Sequence, residues 1–382
     1  MRFKPVFFHG LLLACVCLWQ TCSVRVPGKY QQIATVDAEA TKQTKALFAN
    51  LRTVAKDRIL FGQQDALAYG VGWKDWHKMK SDVDDICGQQ PAVFGWDMGQ
   101  IGKKSYNLDT VDFQQMQGWM KRVYKMGGIN TVSWHSENYV TGGTSWDVGD
   151  RVVAAILPGG SHHGVYKKSL DDFADFMADV EVGFLFKEKV PIIFRPFHEH
   201  TGGWFWWGKG HCTPEEYKAI WQFTVEYLRD VKGLDNLLYA YSPDVFRDEA
   251  HFLECYPGDA YVDILGVDNY YDFSVRGNVE DVAKRLRTVV ELANEKGKVA
   301  ALTETGVSGI PEDKWWTEKL LKQIKTDPIA SQIAWVLVWR NSRLDHHYAP
   351  YPGHPSAPDF IEFCNDPVII MEDRLPKIYE LD

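Results

Sequence analysis

The chain has 382 residues, which suggests two domains at about 150 residues each, although α/β barrels often exceed that length as one unit. Hydrophobic residues make up 45% and charged residues 24%, enough for a large core and a solvated surface, so a disordered or fibrous chain is excluded. The 42 basic and 51 acidic residues give a net charge of −9, which argues against nucleic acid as a partner because binding phosphates requires clustered Lys and Arg.

The N-terminus has the features of an export signal, which we place at residues 1–22. Arg2 and Lys4 precede a mostly apolar stretch over residues 6–19 that is too short to span a membrane. A cysteine that closes such a signal is where bacterial envelope proteins receive a lipid anchor. Cys22 is the first choice for this role and Cys15 the second, with simple cleavage and release as the alternative. We therefore expect a periplasmic, outer-membrane or cell-surface lipoprotein, or a secreted protein.

From residue 36 onward no linker, repeat or low-complexity tract divides the chain, so we predict a single domain over residues 30–382. Eight short apolar runs predict strands at residues 59–63, 92–97, 129–135, 190–198, 237–242, 262–268, 299–303 and 334–339. Amphipathic segments between them predict helices at residues 112–125, 170–187, 214–231, 279–295 and 314–324. This alternation favours an α/β fold, a single-domain (β/α)8 TIM barrel, with a doubly wound sheet as the alternative.

Two glutamates follow predicted strands, and a barrel assembles its active site where strands end. Glu199 follows the fourth strand and Glu304 the seventh. Strand alternation is expected to place Arg195, Phe197 and Glu199 on one side of the pleat, with a fixed positive charge near the acid. Paired carboxylates across a cleft are what glycosidic cleavage requires. The 52 aromatic residues (15 Trp, 17 Tyr and 20 Phe) also suit a sugar ligand, since sugars have apolar faces.

Four segments carry a resemblance to a known family. Residues 195–208, Arg-Pro-Phe-His-Glu-His-Thr-Gly-Gly-Trp-Phe-Trp-Trp-Gly, resemble the acid/base motif of glycoside hydrolase family 26, the β-mannanase family. Residues 133–135, 262–270 and 302–306 resemble its other signatures in the expected order. The resemblance implies a (β/α)8 barrel and a retaining, cofactor-free and metal-free endo-1,4-β-mannosidase. The implied partners are mannan, galactomannan, glucomannan or manno-oligosaccharides. We also expect the protein to be a monomer.

The same resemblance implies Glu199 as the acid/base and Glu304 as the nucleophile. It implies sugar-stacking roles for Trp339, under the −1 sugar, and for Trp204, on the leaving side. The predicted substrate-binding residues, from this match and from the strand ends together, are His135, His198, Trp204, Tyr270, Trp339, Arg195, Asp268 and Arg340. We expect Trp206 and Trp207 to pack in the base of their loop. A long loop over residues 139–168 is expected to shape one end of the cleft.

Several alternatives stay open at this point. Relatives with similar motifs include β-glucanases, β-1,3-xylanases and exo-acting mannobiohydrolases. A metal-dependent barrel hydrolase is a different class, suggested by His198 and His200 at i and i+2 on one strand face. A non-catalytic glycan-binding protein would use the same tryptophans. The sequence also leaves open whether the four cysteines after the signal pair, namely Cys87, Cys212, Cys255 and Cys364.

Overall fold

The computed structural model describes Met1 and residues 29–75, 78–149 and 151–381. The predicted export signal, with Cys15 and Cys22, lies outside these residues. The strands are β1 (Ile59–Gln64), β2 (Val93–Asp97), β3 (Ile129–Ser133), β4 (Glu181–Val182), β5 (Glu188–Lys189), β6 (Ile192–Arg195), β7 (Leu237–Tyr241), β8 (Ile264–Asn269), β9 (Val299–Thr305), β10 (Trp335–Val338) and β11 (Ile369–Ile370).

Eight of these strands close into a parallel barrel in the order β1, β2, β3, β6, β7, β8, β9 and β10. Closure is made by β10 against β1, in the register Leu60 to Trp335 through Gln63 to Val338. The short strand β11 adds to the outside of β1, and β4 and β5 form a separate antiparallel hairpin. The predicted (β/α)8 barrel is confirmed.

The connections between barrel strands carry the helices, as the alternating pattern predicts. The α-helices are α1 (Lys42–Val54), α2 (Asp82–Cys87), α3 (Phe113–Lys125), α4 (Val152–Ile156), α5 (His163–Ala178), α6 (Pro214–Glu226), α7 (Glu249–Leu253), α8 (Glu280–Lys296), α9 (Lys322–Lys325) and α10 (Ala357–Asn365). Helix α6 begins at a capping box in which Thr213 and Glu216 satisfy each other's backbone N–H groups, with Pro214 at the first helical position. Two π-helical segments, Tyr227–Val231 and Trp315–Leu321, continue α6 and precede α9.

Side-chain alternation along the strands divides the core into two layers. Outward residues such as Phe61 and Phe94 pack against the helices in one large cluster. Inward residues such as Leu60 and Ile193 fill the barrel together with Leu47 of α1. Helix α1 therefore closes the amino-terminal end of the barrel and leaves the carboxyl-terminal end for a site.

Three local predictions differ from the structure in kind or by more than two residues. The segment over residues 139–168 is no open loop, because it contains α4 and the first turns of α5. The helix predicted over residues 170–187 ends at Ala178, where the β4–β5 hairpin takes over. The fourth barrel strand ends at Arg195, three residues before the predicted end.

The four cysteines that follow the signal are free thiols in this structure. Helices α2 and α10, which carry Cys87 and Cys364, pack together. Among the described residues, no helix is long and apolar enough to cross a membrane.

Candidate active site

A cleft of about 360 Å³ opens at the carboxyl-terminal end of the barrel and holds both predicted catalytic glutamates. Its lining residues are His135, Trp146, Glu199, Trp204, Phe205, Tyr270, Ser274, Glu304, Gly306, Val307, Ser308, Trp339 and Tyr348. A larger cavity at the other end of the barrel has no acidic side chain in its lining. The paired carboxylates therefore single out the smaller cleft.

Glu304 lies at the end of β9 and is held by two donors. A guanidinium N–H of Arg195 donates to its Oε1, and the hydroxyl of Tyr270 donates to its Oε2 at 2.8 Å. Both contacts stabilise a negative charge on the carboxylate. The side chain is only 4% exposed, so its orientation is fixed by protein contacts before any ligand binds.

The guanidinium of Arg195 is held in place by side chains that lie deeper in the barrel. Its Nη1 donates to Asp268 Oδ2 at 2.6 Å and to Ser242 Oγ at 3.1 Å. Asp268 also accepts from Thr303 Oγ1 at 2.6 Å and is completely buried. The prediction that Asp268 contacts substrate is therefore wrong, because the side chain lies behind Arg195. Arg195 is nearly as buried and contacts Glu304, so both residues are placed to position the nucleophile candidate.

Glu199 is half-buried in the same cleft. The indole Nε1–H of Trp204 donates to its Oε2 at 2.8 Å, and its own backbone N–H donates to Ser242 O at 2.8 Å. Burial and the nearby charge of Glu304 raise the pKa of Glu199 well above its ordinary value. A carboxyl that stays protonated beside a charged one is suited to donate a proton.

Strand alternation does not reach Glu199, contrary to prediction. After Arg195 the chain leaves the sheet, and both Phe197 (φ 49°) and Glu199 (φ 55°) adopt left-handed backbone conformations. The ring of Phe197 turns outward and is buried against Tyr166, Trp206, Trp207, Tyr217 and Trp221. This packing holds the strained turn that carries Glu199 into the cleft.

His135 is paired with an aspartate that the sequence analysis did not select. Its Nδ1–H donates to Asp97 Oδ2 at 2.7 Å, and its backbone N–H donates to the same oxygen at 3.1 Å. Burial by itself lowers the pKa of His135, but the Asp97 carboxylate outweighs burial and raises that pKa above its ordinary value. Asp97 ends β2, so its position at a strand end was the available signal.

His198 lies deeper than predicted. It is 1% exposed, and its ring packs against His135 (centroids 4.6 Å apart) and Phe205 (5.3 Å). Burial lowers its pKa well below the ordinary value, so the ring is neutral. It is absent from the cleft lining, which makes it a support for His135 in this structure.

Aromatic rings form the walls of the cleft. Trp339 and Trp204 both line it, as predicted, and Trp146 stacks on His135 at 5.3 Å without having been predicted. Trp206 and Trp207 are fully buried, and their indole N–H groups donate to the backbone oxygens of Ser136 and His198. Their predicted packing role is confirmed.

Arg340 lies beside the cleft and not in its lining. It pairs with Asp109 at 2.7 Å and donates to Tyr69 Oη at 3.3 Å, and both partners line a neighbouring cavity of about 580 Å³. Burial raises the pKa of Asp109 to about 6, and burial together with the Asp109 charge raises the pKa of Asp65 to about 8. Arg340 thus contacts two residues that line this second cavity.

The geometry expected for a metal hydrolase is not formed. His200 bonds the hydroxyl of Tyr241 through Nε2 at 2.9 Å, whereas His198 packs against His135, so the two imidazoles do not share a strand face. Within the described ranges, no group of three or more His, Cys, Asp or Glu side chains is arranged to hold a metal ion.

Comparison with known proteins identifies the family. A family model described as Glycosyl hydrolase family 26 matches residues 36–348. The chain belongs to glycosyl hydrolase family 26. A solved family 26 β-mannanase from Bacteroides ovatus superimposes with a TM-score of 0.85 at 41% identity, covering 90% of this chain and 98% of that one. A family 26 endo-β-1,4-mannanase from Cellulomonas fimi gives 0.83 at 38% identity, covering 91% and 80%.

Two curated relatives are matched over different shares of their own length. Bifidobacterium adolescentis mannan endo-1,4-beta-mannosidase is 38% identical over 288 residues, which are 72% of this chain and 28% of that protein. The enzyme of the same name from Bacillus subtilis (strain 168) is 29% identical over 70% of this chain and 75% of its own length. This family 26 chain therefore matches little more than a quarter of the first relative and most of the second.

Proposed function

We propose that the protein hydrolyses β-1,4-mannosidic bonds inside mannan, galactomannan or glucomannan, with retention of configuration. One observation carries the proposal: Glu304, held by Arg195 and Tyr270, shares a cleft with Glu199, whose pKa is raised. The names of these relatives support mannan as the substrate and cleavage within the chain as the mode of action.

In the first step, Glu304 attacks the anomeric carbon of the −1 sugar and forms a glycosyl-enzyme ester. The bond to the leaving oxygen breaks, and Glu199 transfers its proton to that oxygen. Arg195 and Tyr270 hold the carboxylate in line during the attack. Trp204, bonded to Glu199, keeps the acid on the leaving side of the cleft.

In the second step, Glu199 is ionised and takes a proton from water. The water oxygen attacks the anomeric carbon and releases Glu304 as a carboxylate, so two inversions give net retention. The Arg195 and Tyr270 donors receive the returning charge without rearrangement, since both already contact Glu304 in the free protein.

Sugar binding falls to the cleft lining. Nδ1 of His135 is hydrogen-bonded to Asp97, so its Nε2 is available to hydrogen-bond a sugar hydroxyl. Trp339 and Trp204 offer ring faces for stacking, each contributing ~1–3 kcal/mol. We assign further sugar units, which an enzyme that cuts within a chain requires, to the second cavity, whose lining residues Tyr69 and Asp109 contact Arg340.

A product profile tests this assignment against the rivals. Unbranched mannan, galactomannan, mixed-linkage β-glucan and β-1,3-xylan are incubated with the enzyme, and products and viscosity are followed. We expect an early fall in mannan viscosity with oligosaccharides of several lengths. Release of mannobiose alone, with viscosity preserved, would show exo action. Faster cleavage of glucan or xylan than of mannan would overturn the mannan assignment. If none of the polysaccharides is cleaved, the result would favour a non-catalytic glycan-binding protein.

We further propose that residues 1–22 are an export signal, with Cys22 as the lipid-attachment site, and that residues 30–382 form the catalytic domain. Mass spectrometry of protein from the native envelope tests both. A mature chain starting at a lipid-modified Cys22 is expected, and an unprocessed Met1 would contradict export. Sedimentation of the mature chain tests the further proposal that it is a monomer.

A further inference from the structure

The β4–β5 hairpin carries three consecutive apolar side chains in full contact with solvent. Phe184, Leu185 and Phe186 are 93%, 81% and 90% exposed. Single exposed apolar residues are common on proteins, but three adjacent large ones at a hairpin tip form a patch that calls for an apolar partner. We name residues 184–186 the apolar tip.

The turn that presents the apolar tip is specifically built. Glu181 pairs with Lys189 and Val182 with Glu188 in antiparallel register, which leaves a five-residue connection. Gly183 has φ 95°, and a Cβ there would lie 2.1 Å from the carbonyl oxygen of Phe186. Only glycine fits this position, so the tip has a defined conformation.

The base of the hairpin is tied to the barrel. Gln43 of α1 donates to Glu188 Oε2 at 2.6 Å, and the Tyr124 hydroxyl donates to the other oxygen. Lys189 pairs with Asp235 at 2.7 Å. These contacts tie the base of the hairpin to α1, to α3 and to the loop before β7, so the apolar tip has a rigid support.

The hairpin lies at the amino-terminal end of the barrel, opposite the cleft. It leads directly into the start of β6, and it contacts α1, which closes that end. The 3₁₀ turn Lys29–Gln32 also packs against α1, so the described chain enters at the same end. Seven peptide units separate Lys29 from Cys22, a covalent reach of at most about 25 Å.

We propose that the apolar tip inserts into the headgroup and acyl boundary of a lipid bilayer, so that the amino-terminal end of the barrel faces the membrane and the cleft faces away. The occupant is argued from position, since the tip and the segment leading to the proposed anchor leave the barrel at one end. The proposal builds on export of the protein but does not require lipid on Cys22.

The charges of the hairpin itself contribute little to this contact. The nearest cations of the hairpin are already neutralised, Lys187 by Glu181 and Lys189 by Asp235. Insertion of the tip is therefore driven by its apolar side chains, and replacing them should weaken binding both with and without anionic lipid.

The test uses the chain from Ser23 onward, which lacks Cys22. All described strands lie between Ile59 and Ile370, so this chain retains the whole barrel. Co-sedimentation is measured with phosphatidylcholine vesicles and with phosphatidylethanolamine–phosphatidylglycerol vesicles. The variant replaces Phe184, Leu185 and Phe186 with serine. The matched control is Val275→Ser, an equally exposed apolar residue on the loop after β8, at the cleft end.

We expect the triple variant to lose vesicle binding by about tenfold or more, with both lipids and at both low and high salt, while Val275→Ser binds as the parent does. Turnover of soluble manno-oligosaccharide by the triple variant should equal that of the parent, which controls for folding. Absence of parent binding, or equal binding by the triple variant, would overturn the proposal. If the parent forms dimers in solution and the triple variant does not, the partner of the apolar tip is a second copy of the chain and not a bilayer.

The vesicle-binding result can be distinguished from the results that test the proposed activity and the proposed lipidation. If the parent does not cleave mannan, the proposed activity is refuted, but the proposal of vesicle binding still stands. An unmodified Cys22 would refute lipidation, yet the apolar tip would still bind vesicles in this assay.

Discussion

The indole Nε1–H of Trp204 donates to Glu199 Oε2 at 2.8 Å, so the aromatic residue predicted to stack on a leaving sugar also contacts the acid that protonates it. The two residues are five positions apart in sequence, and the turn between them brings both into the cleft. The hydrogen bond favours the ionised form of Glu199 and lowers its pKa, against burial and the Glu304 charge, which raise it.

Replacing Trp204 with phenylalanine keeps a ring and removes this donor. The pKa of Glu199 should rise further, because the bond that stabilised its charged form is lost. Since activity requires protonated Glu199, the alkaline limb of the kcat/KM profile should move to higher pH. Trp146→Phe, which alters another cleft tryptophan without a bond to Glu199, is the matched control. If the alkaline limb of the profile stays at the same pH in Trp204→Phe, the hydrogen bond does not have this role.

Glu199 combines a left-handed backbone (φ 55°) with a carboxyl placed near Glu304. Glycine at this position relieves the backbone strain and removes the repulsion, which together should stabilise the fold by ~1–2 kcal/mol. We expect Glu199→Gly to raise the thermal midpoint above that of both the parent and Glu199→Ala, while polysaccharide cleavage is lost. A lower midpoint than in Glu199→Ala would show that no strain is stored there.

The His135–Asp97 pair makes stability depend on pH. The pKa of His135 is raised, so its contribution is complete below the ordinary histidine range and is lost as pH rises through the folded pKa. The pKa of Asp97 is lowered, so its contribution disappears as pH falls toward that pKa. Asp97→Asn should therefore destabilise most in mildly acidic solution, by ~3 kcal/mol, and less in alkaline solution. Thermal midpoints measured across pH check this, and a constant difference would refute the ion pair.

Trp339→Ala tests the sugar platform. Turnover of short manno-oligosaccharides should fall more than turnover of long ones, because additional subsites on a long chain compensate for one lost contact. The kcat/KM values for a series of chain lengths give the comparison. Equal losses at all lengths would show that the ring packs and does not bind sugar.

The barrel was predictable because each strand is a continuous apolar run buried on both faces, flanked by polar residues at its end. Glu304 was predictable for the same reason, since it remains within β9. Glu199 was correctly predicted to lie in the cleft, but the argument from strand alternation was wrong. The chain leaves β6 after Arg195, and tertiary packing of Phe197, which strand alternation cannot anticipate, decides the turn.

Contacts between distant segments explain what the sequence did not show. His135 and Asp97 are 38 positions apart and meet only because β2 and β3 are neighbours in register. Asp268 follows a strand like the other candidates, yet its side chain is completely buried behind Arg195. Residue type and strand position predicted His135 and Asp268 near the site, whereas the depth of Asp268 below the cleft floor required the structure.

The two glutamates should separate cleanly by chemistry. Glu304→Ala removes the group that forms the covalent intermediate and should abolish cleavage of all substrates, whatever their leaving group. Glu199→Ala should lower polysaccharide cleavage by about 10³-fold, because a poor leaving group needs the proton. The same variant should still react with an activated aryl β-mannoside and then stall, since the base that activates water is missing.

The stereochemistry of azide rescue of Glu199→Ala on an aryl β-mannoside tests the central claim most directly. Azide attacks the glycosyl-enzyme ester on Glu304 without needing a base, so turnover should recover and NMR should show a β-mannosyl azide. An α-mannosyl azide from Glu199→Ala, or rescue of Glu304→Ala in its place, would contradict the assigned roles of the two carboxylates.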